Sequence, residues 1–300
     1  MKPVFRMMVG ISGSGKSAFV KKLAEVNNAV IIESDAYREK LYGSSDIQGD
    51  NGKLFEAIHQ DIFHHLGWGV SVIFDATNIS YKNRISVLQK LSKLDIRREV
   101  YVMATEYSIC LERNAKRERK VPEYVIKRMR ENFTMPQYNE GWDSIMIEYE
   151  YEKAHYNLLD YLKEIQSFGQ NTPYHTHTLG EHTKNVFVQV CLNSNNPLVG
   201  QAAILHDNGK RYTKVFRNAR GESSEIAHYY NHEGCGAYEA LFYLNNLSVP
   251  DMVYVCGLIQ YHMRPYMAKT ERAVERLKSL VGEKMFSDLM ILHEADKKGH

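Results

Sequence analysis

The sequence predicts an α/β domain with a parallel, doubly wound sheet, followed by an all-α domain. Three observations lead to this prediction. In the first half of the chain, short apolar runs rich in β-branched residues alternate with segments of helical periodicity. A glycine-rich stretch, GISGSGKS, comes directly after the first apolar run. From residue 175 onward helical patterns alone remain, so the second half is expected to contain no sheet.

Four buried strands are predicted in the first half. They are VFRMMVGI (4–11), AVIIESD (29–35), SVIFDATN (71–78) and REVYVMAT (98–105). Between them, apolar residues recur at the spacing of a helix face, at Leu54, Ile58 and Ile62, and at Ile85, Leu88, Leu91 and Leu94. Strands that alternate with helices in this way favour a parallel sheet covered by helices.

The composition changes near the middle of the chain. The segment QSFGQNTPY (166–174) is rich in Gly, Pro and polar residues, which is typical of a linker. The helical segments after it are LGEHTKNVFVQVCL, AYEALFYLNNL and KMFSDLMILHEAD. The predicted organisation is therefore a first domain at 1–165, a linker at 166–174 and a second domain at 175–300.

The bulk composition narrows the class of protein. The 300 residues are 44% hydrophobic, which is enough for a large buried core, and the net charge of +2 is too small to indicate a nucleic-acid binder by itself. The four cysteines are far apart with no CxxC pair, which argues against a thiolate zinc site and a disulfide framework. No stretch approaches the length of a membrane span. We expect a protein of the reducing cytoplasm with no membrane partner.

The stretch GISGSGKS matches G-x-x-x-x-G-K-[ST] between a predicted strand and a predicted helix. Glycines in such a loop allow backbone amides to turn toward phosphate oxygens. The lysine supplies a positive charge at the β- and γ-phosphates, and the serine hydroxyl can bind Mg²⁺. The residues expected to contact nucleotide phosphates or Mg²⁺ here are Gly10, Gly13, Ser14, Gly15, Lys16 and Ser17. A glycine-rich turn with a chance lysine is the alternative, which the full match in its expected context disfavours.

Two acidic residues and an arginine follow the next two strands. Asp35 ends the strand at 29–35, where a carboxylate could take the proton from an attacking hydroxyl, and Arg38 could hold an acceptor phosphate. An N-cap aspartate and a solvated arginine explain the same spacing equally well. Asp75 follows the apolar part of the strand at 71–78, the position of a Walker-B acid that binds Mg²⁺ directly or through water. A strand-terminal turn residue is the alternative.

A basic segment follows the fourth strand. Between Arg113 and Arg130 there are eight Lys or Arg residues and two Glu residues. Such a run is usually a solvated helix face. However, Arg113 and Arg117 are spaced i, i+4 and would share one helix face, from which two guanidinium groups could clamp a transferred phosphate as a lid. The residues that could extend a path for a polyanion are Lys120, Lys127, Arg128 and Arg130.

In this order, GISGSGKS, SDAYR, DATN and the RNAKR…VPEYVIKRM segment resemble the motifs of the polynucleotide 5′-kinase family of P-loop phosphotransferases, over roughly residues 5–145. The resemblance implies a P-loop NTPase fold, ATP or another NTP as phosphate donor with Mg²⁺, and nucleic-acid ends as acceptors. By this resemblance Asp35 is the general base, Arg38 binds the acceptor phosphate, and Arg117 is the lid arginine with Arg113 nearby.

A second group of polar residues lies in the helical half. His206 and Asp207 are adjacent in AILHDNGK, and neighbouring side chains on a helix diverge by about 100°, so other helices would supply the remaining ligands to a shared metal. Candidates for these ligands are His182, His232, His262 and Asp296. Imidazoles and carboxylates without a thiolate suit Mn, Fe, Co, Ni or Zn, as one ion or two. A lone buried histidine is more often a hydrogen-bonded core residue, so five further histidines receive no assignment: His155, His175, His177, His228 and His293.

The ordered series of these histidines and aspartates resembles the HD phosphohydrolase superfamily. The stretches LHDNGK, HEGCGAYEAL and YHMRPY resemble especially the HD domains found beside tRNA nucleotidyltransferases. The resemblance implies that the metal ligands are His182, His206, Asp207 and Asp296. It also implies that His232 and His262 bind a second metal or phosphate, and that Lys210 contacts phosphate.

A P-loop kinase joined to an HD phosphohydrolase is similar to the bifunctional enzymes that heal nucleic-acid ends, with the two domains in reverse order. The resemblance implies ATP-dependent phosphorylation of a 5′-OH and metal-dependent removal of a 2′,3′-cyclic phosphate or 3′-phosphate. RNA ends would be the substrates in preference to DNA ends, and an RNA ligase would be a functional partner that acts on the same ends. Two alternatives remain. One is a small-molecule or nucleoside kinase fused to a nucleotide phosphohydrolase, and the other is a non-catalytic, NTP-switched regulator whose HD domain is a degenerate sensor.

Overall fold

The computed structural model describes residues 2–44, 47, 49–149, 156–173 and 176–299. The chain divides into two compact units. The first consists of Met1–Met129 and Pro136–Tyr151, and the second of Arg130–Met135 and Glu152–His300. The predicted linker at 166–174 is therefore not the boundary, because it lies inside the second unit. Its backbone is held locally, since Gly169 pairs with Thr178 in a β-bridge, and Leu179 donates a hydrogen bond to the Phe168 carbonyl.

The first unit contains the predicted parallel sheet. Its strands are β1 (Val4–Val9), β2 (Val30–Glu33), β3 (Val72–Asp75), β4 (Arg97–Ala104) and β5 (Ser144–Tyr149). The order across the sheet is β2-β3-β1-β4-β5, and every adjacent pair is parallel. Four strands match the predicted ones, but all four end earlier than predicted, where the loop residues that follow begin. The sequence reading missed β5, although its apolar run (145–147) is a strand signal.

Helices cover this sheet. They are α1 (Lys16–Asn27), α2 (Ser34–Tyr42), α3 (Asn51–Gly67), α4 (Tyr81–Lys90), α5 (Tyr107–Lys116) and α6 (Glu123–Glu131), with a short 3₁₀ turn at Tyr138–Glu140. The predicted apolar face of α3 is buried, with Leu54, Ile58 and Ile62 fully enclosed. The spacing-three pattern predicted a longer α4 than the structure has. The helix ends at Lys90, Leu91 caps it, and Leu94 belongs to the following turn.

The second unit is a helical bundle. Its helices are α7 (Leu158–Gln166), α8 (Leu179–Asn193), α9 (Pro197–Leu205), α10 (Lys210–Thr213), α11 (His232–Tyr243), α12 (Val249–Tyr261), α13 (Arg264–Met267), α14 (Glu271–Val281) and α15 (Glu283–Lys298). Helix α8 packs against α7, α9 and α15, while α12 packs against α9, α11 and α15. Fully buried side chains such as Val186, Leu241 and Leu289 fill the space between them.

The prediction that the second half is all-α is wrong. Strands β6 (Lys214–Arg217) and β7 (Ser223–Tyr229) form an antiparallel hairpin between α10 and α11. The turn forms because the Asn218 side chain accepts hydrogen bonds from the amides of Arg220 and Glu222, while Gly221 adopts a left-handed φ of 83°. The Asn and Gly between two short runs were the available hairpin signal.

Within the described ranges of the chain, we find no helix that is both long enough and apolar enough to cross a bilayer.

Candidate active sites

The loop between β1 and α1 is shaped for a phosphate group. Gly13 and Gly15 have φ values of 88° and 84°, which glycine adopts without strain. A Cβ on Gly13 would lie 2.3 Å from the carbonyl oxygen of Cys110, so this position also requires a residue without a side chain. Helix α1 begins at Lys16, and its first amides point into the loop. The partial positive charge of the helix N-terminus therefore adds to that of the lysine.

The Lys16 side chain lies across the loop. Its Nζ donates hydrogen bonds to the carbonyl oxygens of Gly10 and Ile11 at 2.9 and 2.8 Å. Burial lowers the pKa of Lys16 to about 8, although the nearby Asp75 carboxylate opposes this shift. The ammonium group is thus held at the loop by backbone oxygens, at the place where a phosphate would take over as its partner.

Asp75 and Ser17 meet beneath the loop. Asp75 is the last residue of β3 and is 4% exposed. Burial raises the pKa of its carboxyl group, while a hydrogen bond from Ser17 and the charge of Lys16 oppose the rise. A hydroxyl and a carboxylate in contact beside a phosphate loop form the donor pair that binds Mg²⁺ in P-loop enzymes. Their chemistry therefore fits the predicted Mg²⁺ site.

Asp35 lies in the first turn of α2, and the N-cap of this helix is Glu33. The N-cap alternative for Asp35 is therefore wrong. Its carboxylate is 58% exposed, and Oδ2 lies 3.3 Å from Nη1 of Arg119, a residue that the sequence reading did not single out. A cavity of about 110 Å³ brings the predicted residues together, and its lining includes Lys16, Ser17, Asp35, Asp75 and Arg117. Two carboxylates, a hydroxyl and two cationic side chains thus face a common small space.

Arg38 takes a different position from the predicted one. It is 9% exposed, and Nη1 donates to the carbonyl oxygen of Ile47 and to Oδ1 of Asn51, both at 3.3 Å. These contacts tie α2 to the residues that begin α3, so the alternative of a solvated arginine is also wrong. Spacing along α2 could not reveal this, since both partners come from a segment further along the chain.

Arg113 and Arg117 reach the loop by different routes. The prediction that they share one helix face is wrong, because α5 ends at Lys116 and Arg117 is extended, with ψ of 148°. Both nevertheless line a cavity of about 590 Å³ together with Gly13, Ser14, Gly15 and Ser17. The Arg113 guanidinium lies 3.3 Å from the place a Cβ on Gly15 would take. Two guanidinium groups therefore flank the side of the loop where a nucleotide would extend.

One residue of the predicted polyanion path, Arg130, is buried and is not available to a polyanion. Arg130 is 5% exposed; its Nη1 lies 3.2 Å from Glu239 Oε1 and its guanidinium lies over the ring of Tyr212. It therefore belongs to the interior of the second unit, where an ion pair and a ring satisfy its charge. Lys120 and Arg128 are exposed, as the prediction requires.

The six polar residues predicted in the second half lie together in the second unit. They form two groups whose ligand atoms all lie within 4.8 Å of one another, one of His182, His206 and Asp296, and one of Asp207, His232 and His262. Asp207 connects the groups, since Oδ2 lies 3.3 Å from His206 Nε2 and Oδ1 lies 3.2 Å from His232 Nε2. Each group could hold a metal ion. His206 and Asp207, expected to share one metal, fall into different groups, although Asp207 Oδ2 still lies next to His206.

Local structure places each of these side chains. A capping box of Thr178 and Glu181 starts α8 and sets His182 in its first turn. His206 caps the end of α9, and Asp207 lies in the turn before α10. This turn packs so closely on the start of α11 that a Cβ on Gly209 would lie 2.0 Å from the His232 carbonyl oxygen. The turn therefore requires glycine in order to bring Asp207 beside His232.

Backbone carbonyls orient all four histidines. Their Nδ1 atoms lie 2.7–3.1 Å from carbonyl oxygens, with His182 paired to Gly299, His206 to Ala203, His232 to Tyr229 and His262 to Ile259. Because a carbonyl oxygen accepts but never donates, each Nδ1 carries a proton, and in the neutral form of each ring the Nε2 lone pair faces the cluster. This is the arrangement that prepares an imidazole to bind a metal.

The cluster is built to hold positive charge. Burial disfavours the charged form of His206, but Asp207 and Asp296 outweigh it and raise the pKa of His206 to about 10. Burial likewise disfavours the charged form of Asp207, yet Lys210 and His206 keep the pKa of Asp207 well below its usual value. Lys210 Nζ lies 2.7 Å from Asp207 Oδ2 and 2.8 Å from Gln170 Oε1. The two buried carboxylates therefore attract cations into an interior that would otherwise exclude them.

A cavity of about 710 Å³ opens onto this cluster. Its lining includes Asp207, Lys210, His232 and Asp296, together with Tyr266 and residues of β7. The Tyr266 hydroxyl donates to Asp296 Oδ2 at 2.9 Å, and its ring meets that of His293 edge-on. The sequence reading missed Tyr266, Gln170 and Tyr229, although Tyr266 stands in the quoted stretch YHMRPY. Two of the histidines that received no assignment, His155 and His175, lie outside the described residues.

Comparisons with known proteins bear on the first unit. Residues 6–136 match a protein-family model described as an AAA domain. L-seryl-tRNA(Sec) kinase of Methanococcus maripaludis is 30% identical over 176 residues, which make up 55% of this chain and 66% of that protein. The chain thus spans just under two thirds of this relative's length. Together with the phosphate loop, these matches show that the first unit is a P-loop kinase-like domain.

Two solved structures are similar to part of this chain. The Pnkp1/Rnl/Hen1 RNA repair complex matches with a TM-score of 0.40 and 19% identity over 42% of each chain. A gluconokinase from Sinorhizobium meliloti 1021 matches with a TM-score of 0.37 and 19% identity, over 49% of this chain and 83% of that one. The family match ends at residue 136, so the second unit is interpreted from its own side chains.

Proposed function

We propose that this protein repairs nucleic-acid ends, with RNA as the principal substrate. The first unit would be an ATP-dependent 5′-OH polynucleotide kinase, and the second an HD-type, metal-dependent phosphohydrolase acting on 2′,3′-cyclic phosphate or 3′-phosphate ends. The observation that carries the proposal is a pair of adjoining groups of three candidate ligand side chains, connected by Asp207, in a chain that also holds a P-loop kinase-like domain. One site would add the phosphate that a broken 5′ end lacks, and the other would remove the phosphate that blocks the 3′ end.

The kinase step follows from the side chains around the small cavity. Asp35 would accept the proton of the attacking hydroxyl group. The oxygen of that hydroxyl would bond to the γ-phosphorus while the bond from this phosphorus to the β–γ bridging oxygen breaks. Lys16, Arg113 and Arg117 would stabilise the negative charge that spreads over the phosphoryl oxygens. A Mg²⁺ ion held by Ser17 and Asp75 would neutralise charge on the β- and γ-phosphates.

Two observations support an acceptor attached to nucleic acid. The curated relative of the first unit is named as a kinase of seryl-tRNA, so the acceptor of that protein is carried on RNA. In addition, Lys120 and Arg128 are exposed, and basic side chains contact phosphate backbones. Arg119 lies beside Asp35, where it could hold the phosphate next to the attacking hydroxyl.

The hydrolytic step would use the buried cluster. The donor set fits transition metals, since each of the two groups offers two oriented imidazoles and one carboxylate. Such a metal would polarise a phosphoryl group and activate water as a nucleophile. Lys210 would bind a phosphate oxygen at the mouth of the site, because its ammonium group already lies against Asp207. The outward-facing cavity would admit the phosphorylated end.

A second candidate function is supported by Arg38. Its guanidinium is buried against Ile47 and Asn51, so the acceptor-phosphate contact of a polynucleotide kinase would need another residue. This favours a small-molecule or nucleoside kinase joined to a nucleotide phosphohydrolase. The third hypothesis, a degenerate sensor, is disfavoured because a degenerate site is expected to have lost at least one ligand, whereas all six come together here.

The test is a pair of assays on the full chain. A 5′-OH RNA is incubated with labelled ATP and Mg²⁺, and an RNA ending in 2′,3′-cyclic phosphate or 3′-phosphate is incubated with Mn²⁺, Ni²⁺ or Co²⁺. We expect Asp35→Ala to reduce 5′ phosphorylation by about 10²–10⁴-fold, the usual contribution of a general base. Lys16→Ala, which removes the positive charge at the β- and γ-phosphates, is expected to abolish it. Asp207→Ala is expected to abolish phosphate removal without affecting phosphorylation.

Matched surface variants control for general damage. Lys21 is an exposed lysine on α1, and His177 is a surface histidine that lies 3.8 Å from the Glu181 carboxylate. The variants Lys21→Ala and His177→Ala should retain both activities. If Asp207→Ala removes 5′ phosphorylation and spares phosphate release, the two-site assignment is wrong. Equal phosphorylation of a free nucleoside and a 5′-OH RNA would establish the second candidate instead.

A further inference from the structure

The cavity beside the metal-ligand cluster is lined by two chemically different sets of residues. One set is Asp207, Lys210 and Asp296, the groups expected to handle phosphate. The other set is Met263 and Ile226, Ala227, His228 and Tyr229 of strand β7. A cavity of about 710 Å³ is in the range of pockets that enclose whole organic ligands, far more than a phosphate group needs. The cavity therefore has room for a second part of the ligand beside the phosphate.

The two faces of β7 differ in what they contact. Ala227 is 3% exposed, and the Tyr229 hydroxyl donates to the carbonyl oxygen of Gln170, so this face packs on the body of the unit. On the alternate face, Ile226 is 39% exposed, and His228 shares this face because side chains alternate along a strand. Tyr230, the residue that follows the strand, is 41% exposed and stacks on His228.

The rings of His228 and Tyr230 stack on each other there. Their rings are parallel within 4°, with centroids 5.5 Å apart. Hydrogen bonds hold the outer atoms of both, because His228 Nε2 lies 3.2 Å from Ser224 Oγ and the Tyr230 hydroxyl donates to the Arg217 carbonyl oxygen at 3.4 Å. The pair is thus fixed before any ligand arrives, which lowers the entropic cost of stacking on it.

We propose that Ile226 and His228 of β7, which line the cavity, together with Tyr230, which stacks on His228, bind the nucleobase next to the phosphate that the second site removes. The inference rests on the proposed phosphohydrolase function and names its substrate class as nucleotides with an intact base. A flat, polarisable ring is the chemistry that stacks on aromatic side chains, and every nucleobase offers one. The hairpin missed by the sequence reading would then be the specificity element of the site, with Lys210 at the phosphate and the aromatic pair at the base.

A free nucleotide and the terminal residue of a polynucleotide share this chemistry. The experiment therefore has two arms, a nucleoside 3′-phosphate and an oligonucleotide with a 3′-phosphate. Each is compared with its counterpart lacking the base, ribose 3-phosphate in the first arm and the same oligonucleotide with an abasic terminal residue in the second. The readout is the ratio of the two kcat/KM values with the metal-loaded enzyme.

We expect the wild-type enzyme to prefer the base-containing substrate by about five- to 100-fold, the range that stacking on aromatic residues produces. Tyr230→Leu and His228→Ala should lower this ratio toward one. Tyr230→Phe keeps the ring and should retain the preference. Phe216→Leu removes an exposed ring on the same hairpin, on the side of Lys214. This variant should also retain the preference for the base-containing substrate. A preference in one arm alone would identify the source of the nucleotide.

Two outcomes separate this inference from the proposed function. If the enzyme hydrolyses substrates with and without a base equally well, the inference is wrong while the phosphohydrolase function stands. If no substrate is hydrolysed, the function fails, and calorimetric binding of nucleoside 3′-phosphate and ribose 3-phosphate decides the inference. Tighter binding of the nucleotide that Tyr230→Leu abolishes supports the inference, and equal binding overturns it.

Discussion

The Nε2 atoms of His182 and His206 lie 3.2 Å apart, with both Nδ1 atoms hydrogen bonded to backbone carbonyl oxygens. Since each Nδ1 donates, the neutral forms of the two rings would point their Nε2 lone pairs at each other in the interior of the second unit. Lone pairs at this distance repel unless a cation or a proton lies with them. His232 and His262 repeat the arrangement, with their Nε2 atoms also 3.2 Å apart. The four imidazole rings are thus held in an orientation that a bound cation would stabilise.

Metal binding should therefore stabilise the second unit. A ligand present at 100 times its dissociation constant adds about 2.7 kcal/mol to the free energy of unfolding. We expect Mn²⁺, Ni²⁺ or Co²⁺ to raise the Tm of the chelator-treated protein, and His206→Ala to abolish the rise. The surface variant His177→Ala should respond like the wild type. A Tm that is unchanged by all three metals would contradict a metal site.

Tyr266 should control how tightly that metal is held. Its hydroxyl donates to Asp296 Oδ2, which leaves Oδ1 facing His182 Nε2 at 3.1 Å. Loss of such an outer partner typically weakens metal affinity by about 10–100-fold. We expect this loss in Tyr266→Phe, measured by titration calorimetry with Mn²⁺.

Tyr254 provides the matched control for that measurement. It makes the same kind of bond, from its hydroxyl to Asp288 Oδ2 at 2.6 Å, away from the cluster. Tyr254→Phe should leave the metal affinity unchanged. Equal affinities in the Tyr266 and Tyr254 variants would show that Asp296 needs no positioning by Tyr266.

The buried ion pair of Arg84 and Glu140 should matter strongly for the stability of the first unit. Both side chains are 0% exposed, and the Arg84 guanidinium makes two hydrogen bonds to the carboxylate, at 2.8 and 2.7 Å. Removing one partner of a buried pair costs about 3–5 kcal/mol, because the other charge is left uncompensated. Glu140→Gln should therefore lower the free energy of unfolding by that amount in urea titrations.

The exposed pair of Lys2 and Asp95 is the comparison. These side chains are 64% and 80% exposed, and such a pair contributes at most about 1 kcal/mol. Asp95→Asn should shift the urea midpoint far less than Glu140→Gln does. Comparable shifts would mean that the charge of Glu140 is not what stabilises this part of the fold.

Much of the architecture could be predicted because its signals are local. The phosphate loop is a contiguous motif, and the four predicted strands are contiguous apolar runs, so neighbouring residues contain the necessary information. The ligands of the second unit are far apart in sequence, and their selection depended on the resemblance to a known superfamily. The structure brings all six together, while their role as metal ligands stays a prediction.

The failures concern contacts between distant segments. Arg38 looked available for a substrate because its partner Asn51 lies 13 residues further along the chain. The spacing of Arg113 and Arg117 assumed that α5 continues, but it ends between them. Arg130 looked like part of a surface run, yet it is paired with Glu239 from α11. No periodicity argument includes the partner that decides each case.

His59 should make the first unit less stable in mild acid. It lies on α3 and is 6% exposed; burial lowers its pKa to about 4, and the charge of Lys90 adds to the shift. In the unfolded chain a histidine binds its proton near pH 6.5. Between pH 6.5 and 4 the unfolded state therefore binds more protons than the native state, and the free energy of unfolding falls as the pH falls.

The variant His59→Gln removes this titration. At pH 5 we expect the wild type to have lost about 2 kcal/mol more than the variant, relative to the value of each at pH 8. Referring each protein to its own stability at pH 8 cancels the packing cost of the substitution, because His59 is neutral in both states there. The measurement is urea unfolding at several pH values between 5 and 8. Parallel pH curves for the two proteins would show that His59 takes up its proton in the native state as easily as in the unfolded chain.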